Sequence, residues 1–193
     1  MPNWCDNTLH ITHENPEMMK KVIDAWNSGE FFQTMRPCPQ ELIDTSAGYG
    51  GETEEQQENE KRELANLDKF GYKNWYDWRL DNWGTKWDIG YELERGNILT
   101  PDDARKPISV SFCSAWSPPV EAYRKLHEMG FSVRAYYYES GMMYCGSWID
   151  GEDQYYEIEE CKSDWVKENI PSDIDEYMDI SSDMELNEEC QNA

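Results

Sequence analysis

Residues 108–149 read ISVSFCSAWSPPVEAYRKLHEMGFSVRAYYYESGMMYCGSWI, and the change of period inside this stretch decides the fold. Ile108, Val110 and Phe112 alternate with Ser109, Ser111 and Cys113, as in a strand with one buried face. Ser117-Pro118-Pro119 then opens a helix, because proline presets the backbone of a first helical turn. Val120, Tyr123 and Leu126 give its buried side, completed by Met129 or His127, and Gly130 caps it. Phe131, Val133, Ala135 and Tyr137 alternate again, and Ser140-Gly141 turns the chain into a strand over Met142 to Ile149. Asp150-Gly151 is a hairpin turn into a strand over Gln154 to Glu160.

Working towards the N-terminus, Thr8 to Thr12 carries Leu9 and Ile11 on one side, a short half-buried strand. Asn15-Pro16 caps and starts a helix whose apolar positions are Met19, Val22, Ile23 and Trp26, stopped at Ser28-Gly29. Pro37 and Pro39 predict an extended connection over Phe31 to Leu42. Residues 44–84 shift in composition. Glu52 to Lys69 reads as a solvated helix with Leu64 and Leu67, and Tyr72, Trp75, Tyr76, Leu80 and Trp83 give a second helix with one aromatic face. A strand is expected around Trp87 to Glu94.

The order predicts an α+β fold with a ferredoxin-like βαββαβ core, its antiparallel sheet extended by C-terminal hairpin strands. Residues 1–160 form that domain, 44–84 is a helical insertion pinned by its aromatic face, and 161–193 is an acidic C-terminal segment. The segment also carries Trp165, Val166, Ile170, Ile174, Tyr177, Met178, Ile180, Met184 and Leu186, so Ser163 to Asn169 is expected to be helical and the remainder to lie partly against the body.

Composition narrows the function. The 193 residues carry 40 acidic and 17 basic side chains, a net charge of −23. Sixteen acidic and only two basic residues lie within 150–193, a net of −14, whereas 101–149 balances at zero. Such a surface repels phosphate and attracts basic partners. Mean hydropathy is −0.91, yet aromatics reach 13%, with nine Trp and twelve Tyr, enough to build a core. No apolar run is long enough to span a membrane, and MPNWCDNTLHITH has neither part of a signal peptide, so a cytoplasmic protein is expected. The six cysteines form no CxxC pair and read as packed thiols.

Four segments carry a family resemblance: MPNWCDN at the start, NWGTKWD over Asn82 to Asp88, SAWSPP over Ser114 to Pro119, and YYESGMMYCG over Tyr137 to Gly146. Together, in this order, they resemble the YubB ferredoxin-like family of phage and plasmid proteins, over roughly residues 1–150 apart from the insertion. The resemblance implies the fold and a mobile-element origin, and it transfers no catalytic residue. Trp83, Trp87 and Trp116 read as core or seam residues, Gly141 as a turn and Gly146 as a close strand approach.

Catalytic patterns are thin. His10, His13 and Glu14 match no metal-site spacing, no GxSxG elbow occurs, and Gly48-Tyr49-Gly50-Gly51 lacks the GK[ST] of a phosphate loop. Glu139 and Asp88 are the candidate carboxylate pair for an alternative, a nucleic-acid- or nucleotide-processing enzyme. Tyr136, Tyr137, Tyr138, Tyr144 and Trp148 offer stacking rings for RNA, with only Arg134 beside them. The favoured expectation is a non-enzymatic protein-binding module without cofactor or metal: an anti-defence inhibitor imitating nucleic acid for a host protein with a basic surface. Its partner-binding residues would be Glu157, Glu159, Glu160, Asp164, Trp165, Glu168, Asp173, Asp175, Glu176, Tyr177 and Asp179. A phage assembly accessory is a further alternative.

Overall fold

The computed structural model describes residues 3–48, 52–89 and 98–191. Among these residues, five strands form one antiparallel sheet: β1 (Trp4–Thr12), β2 (Ile108–Ala115), β3 (Ser132–Glu139), β4 (Tyr144–Ile149) and β5 (Glu152–Glu157), in the order β2-β1-β3-β4-β5. β2 and β3 both run antiparallel to β1, which lies between them. The chain passes from β2 to β3 through a helix, so that crossover straddles β1. β3, β4 and β5 follow as successive hairpins. The molecule is thus α+β, and the strand expected over 87–94 lies mostly outside the described residues; Trp87 to Ile89 are irregular.

One sheet face carries Leu9, Val110, Phe112, Ala135 and Trp148. Helix α1 (Pro16–Ser28) covers it with Met19, Val22, Ile23 and Trp26. Its start is set by Asn15, whose side chain accepts from the Glu17 N–H at 2.9 Å, and Pro16 occupies the first turn. Phe31 to Leu42 is not extended. It forms two short helices, α2 (Phe31–Met35) and α3 (Gln40–Ile43), with Phe31, Phe32 and Leu42 in the core. The prolines at 37 and 39 only separate these turns, and a helix of four or five residues leaves no periodicity to read.

The insertion holds α4 (Glu54–Phe70) and α5 (Trp75–Trp83). α5 buries Trp78 and Trp83, whereas Tyr76 of the expected aromatic face is exposed. α4 docks through asparagines instead of an apolar stripe. Asn59 exchanges hydrogen bonds with the Ser46 backbone, and Asn66 donates to Thr45 Oγ1 and to the carbonyls of Glu41 and Lys73, while Leu64 and Leu67 face outward. Helix α6 (Val120–Glu128) buries Ala122, Tyr123 and Leu126 against the same sheet face; Met129 is half-buried and His127 exposed. β5 ends at Glu157, three residues short of the expected Glu160, because Ile158 turns inward into a second core.

That second core lies on the opposite sheet face. The C-terminal segment folds into α7 (Ser163–Asn169), α8 (Ser172–Met178) and α9 (Ile180–Gln191). Ile158, Val166, Ile170, Ile174, Ile180 and Met184 pack over Tyr136, Tyr138 and Cys145 of β3 and β4. The acidic segment is a three-helix cap on the sheet.

Candidate functional site

The period of α7 follows from burying Val166 and Ile170 four residues apart, which turns Asp164, Trp165 and Glu168 outward. Ser163 begins the helix, and its N–H (3.0 Å) and hydroxyl (3.2 Å) both donate to the Glu188 carboxylate of α9. Lys167 pairs with Glu185, a second tie between the two helices. Asp175 of α8 accepts from the Ser181 N–H and hydroxyl, both at 2.7 Å, and so caps α9. Asp173 accepts from the Tyr136 hydroxyl at 3.2 Å.

The eleven expected contact residues therefore divide. Glu157, Glu159, Glu160, Asp164, Glu168, Glu176 and Asp179 are exposed, on or beside the cap. Asp173 and Asp175 are spent on internal hydrogen bonds. Trp165 is 42% exposed on α7. Tyr177 shows one side to solvent, but its ring stacks on Tyr136 at 4.4 Å and meets His10 at 4.9 Å, so it anchors α8 to the sheet. Sequence reasoning missed the roles of Glu185 and Glu188, because only the fold brings α9 against α7.

The stacking surface expected of the tyrosines is closed. Tyr136 and Tyr138 lie under the cap, and Tyr137, Tyr144 and Trp148 project to the other face, all buried. Burial and the nearby Asp173 and Asp183 push the Tyr136 and Tyr138 phenols up to about 12.

Glu139 and Asp88 serve different places. Glu139 is buried and accepts the N–H groups of Gly141 and Met142, closing the β3–β4 turn. Asp88 accepts from the N–H groups of Phe32 (2.9 Å), Gln33 (2.8 Å) and Ile89 (2.8 Å), capping α2. Burial raises its carboxyl above the usual range against those hydrogen bonds. Both carboxylates are thus committed to backbone N–H groups, at separate places in the fold.

The histidines and thiols are similarly engaged. His13 accepts from the Asn15 N–H at 2.8 Å and meets Phe131 edge to face, while His10 sits beneath Tyr177. Among the described residues no cluster of His, Cys, Asp and Glu has the geometry to hold a metal. All six cysteines are free thiols. Burial pushes Cys38 up to about 11 and Cys113 and Cys145 to about 12, which keeps them protonated and weakly nucleophilic.

The four segments that carry the family resemblance meet at one end of the sheet. Trp116 N–H donates to the Asn3 carbonyl (3.0 Å), and the Tyr144 hydroxyl donates to the Trp116 carbonyl (2.8 Å). Ser117 donates to the Gly84 carbonyl (2.6 Å), Thr85 to that of Ala115 (3.0 Å), and the Trp4 and Trp87 rings lie 5.8 Å apart. Gly84 ends α5 at φ +85, and a β-carbon there would lie 2.9 Å from the Val120 nitrogen. Trp83 is fully buried, as expected. Trp116 instead is 46% exposed, and its backbone is held at φ 71, a conformation costing a non-glycine residue roughly 1–2 kcal/mol.

No family model matches the chain, and no curated protein matches it. Among solved structures, a protein api92 from Yersinia pseudotuberculosis, described under the family model DUF1281, is similar at 11% identity with a TM-score of 0.40, over 81% of this chain and 98% of that one.

Proposed function

We propose that this chain is a non-enzymatic protein-binding module whose C-terminal cap docks on the basic, nucleic-acid-binding surface of another protein. The observation that carries the reading is the cap itself: an apolar underside fixed to the sheet and an outer surface of carboxylates held on short, mutually tied helices. Order matters here. A rigid array of charges steers a basic partner and avoids the entropy of ordering a loose acidic tail on binding. Exposed Trp165 supplies apolar area within that array.

The finer fold reading belongs with this proposal. The β2–α6–β3 crossover around β1 supports a ferredoxin-like reading of the core, and the strand expected around 87–94 lies mostly outside the described residues. With the resemblance to phage and plasmid proteins, the role that follows is an inhibitor competing with nucleic acid for a host defence protein.

The test keeps the fold and removes the charge. A variant carrying Glu159→Gln, Glu160→Gln, Asp164→Asn, Glu168→Gln and Glu176→Gln alters only exposed carboxylates. Tagged native protein and variant are incubated with nuclease-treated bacterial lysate, and bound proteins are identified by mass spectrometry. The expected result is one basic nucleic-acid-binding protein, held in a fixed stoichiometry, displaced by duplex DNA and lost with the variant. Equal recovery by the variant, or a partner indifferent to DNA, overturns the proposal.

A further inference from the structure

A groove interrupts the outer surface of the cap. Where the turn after β5 and helix α9 pass the β3–β4 turn, they leave a groove of about 490 Å³, within the size range of specific binding clefts. Tyr138, Met143, Cys161 and Met184 provide its apolar surface. Its rim carries Glu159, Glu160 and Asp183, all exposed, with Lys162 as the opposing charge. Glu188 also lines it, but that carboxylate is already held by Ser163. Burial raises the Tyr138 phenol, and Asp183 is the next largest cause, so the rim charge is felt at the floor.

We infer that this groove receives a cationic side chain of the partner, an arginine or lysine on an amphipathic basic segment. Its aliphatic stem would lie along Met143 and Met184, and its charged head would meet Glu159 and Asp183. The inference rests on the protein-binding reading above and narrows it to one contact. Charge complementarity selects this occupant. A carboxylate rim repels nucleic acid, and it repels a second copy of a chain with a net charge of −23. The apolar floor suits the stem of a long cationic side chain, which buries its methylenes while the head stays at the polar edge. Arginine in such a setting is a frequent source of concentrated binding energy. Methionine walls are deformable, so the groove tolerates differences in the neighbouring partner residues.

The experiment uses full-length protein with ¹³C-methyl-labelled methionine and two capped ten-residue peptides, one alternating Leu and Arg, the other alternating Ser and Arg. Both peptides carry the same charge, and only the first is amphipathic. The expected outcome is saturable 1:1 binding of the Leu–Arg peptide, with shifts centred on Met143 and Met184, and weaker binding of the Ser–Arg peptide. Asp183→Lys should weaken the Leu–Arg peptide about tenfold or more, one decade being ~1.4 kcal/mol. Glu152→Lys, exposed on β5 and outside the groove, should change it by less than about threefold, as for an isolated surface charge. Asp183→Asn repeats the test with a milder change, and circular dichroism checks that each variant folds. Equal binding of both peptides, weakened alike by the changes at 152 and 183, overturns the groove and leaves diffuse docking on the acidic surface standing. No binding of either peptide at low salt overturns both. Shifts at the groove methionines produced by a DNA oligonucleotide would assign the groove to a different class of ligand and overturn the inference.

Discussion

Tyr137 leaves β3, passes over Gly146 of β4 and donates its phenolic hydrogen to Asp153 Oδ1 (3.0 Å) and to the Gln154 carbonyl (3.2 Å) of β5. A side chain therefore ties together three strands, and it can do so only because residue 146 has none: a β-carbon there would overlap both the Gln154 carbonyl oxygen and the Tyr137 ring. Gly146→Ala is expected to destabilise the protein by roughly 1–3 kcal/mol, the usual cost of overpacking. Tyr137→Phe, which keeps the ring and deletes the hydroxyl, is expected to cost only about 1 kcal/mol. Urea unfolding of the two variants checks the order, and a Gly146→Ala variant as stable as the native protein would show that the crossing has slack. His10 gives a pH-dependent term. Burial beneath Tyr177, followed by the Arg134 charge, lowers its pKa below the usual 6.5. Below that value the unfolded chain takes up a proton that the folded one refuses. This stability is therefore complete above the unfolded pKa and is lost as pH falls towards the folded one. Thermal unfolding between pH 7.5 and 5.5 is expected to fall more steeply for the native protein than for His10→Phe, which keeps a ring under Tyr177. Parallel curves would remove His10 from the account.

At the scale of elements, the cap and the core respond differently to removal. Deleting residues 159–193 strips Val166, Ile170, Ile174, Ile180 and Met184 from Tyr136, Tyr138 and Cys145, and each such side chain represents roughly 1.5–3 kcal/mol of burial. The truncated chain is expected to bind a hydrophobic dye and aggregate, whereas Ile174→Ala alone is expected to cost about 2–5 kcal/mol without loss of helix content. A monomeric, dye-silent truncation would show that the cap is dispensable to the sheet. Much of this level was legible in the sequence. The period-two runs over Ile108 to Phe112 and Phe131 to Tyr137, the Asn15-Pro16 helix start and the Ser163 to Asn169 helix all follow from local chemistry. What was not legible depends on distant surfaces. α2 and α3 are too short to show a period, α4 is held by Asn59 and Asn66 instead of an apolar stripe, and nothing near Tyr136 in the chain announces that Ile174 will cover it. For the candidate site, the outward carboxylates were readable from charge alone. The internal duties of Asp173 and Asp175, and the groove between Met143 and Met184, arise only when separate segments meet.

Across the whole molecule the charge is segregated, with a net of −14 in the last 44 residues and zero over 101–149. Folding brings carboxylates such as Glu159, Glu160, Asp164, Glu168 and Glu176 together on or beside the cap, so the native state carries a repulsion that the expanded chain relieves. Internal ties such as Lys167 with Glu185 offset part of it, but two basic residues cannot match sixteen acidic ones. Salt should therefore stabilise this protein, because screening shortens the range of that repulsion from about 30 Å at 0.01 M to about 3 Å at 1 M. Raising sodium chloride across that range is expected to increase Tm by about 2–4 °C for each kcal/mol of repulsion removed, at this chain length. The five-carboxylate variant should show a higher Tm at low salt and a smaller rise. Both differences are needed: a higher Tm with an undiminished salt response would place the repulsion elsewhere, for example on α4, where Glu54, Glu55, Glu58 and Glu60 are also exposed. The same field that weakens the fold would speed its encounter with a basic partner, so the variant that gains stability should lose association rate, and that loss should shrink as salt rises.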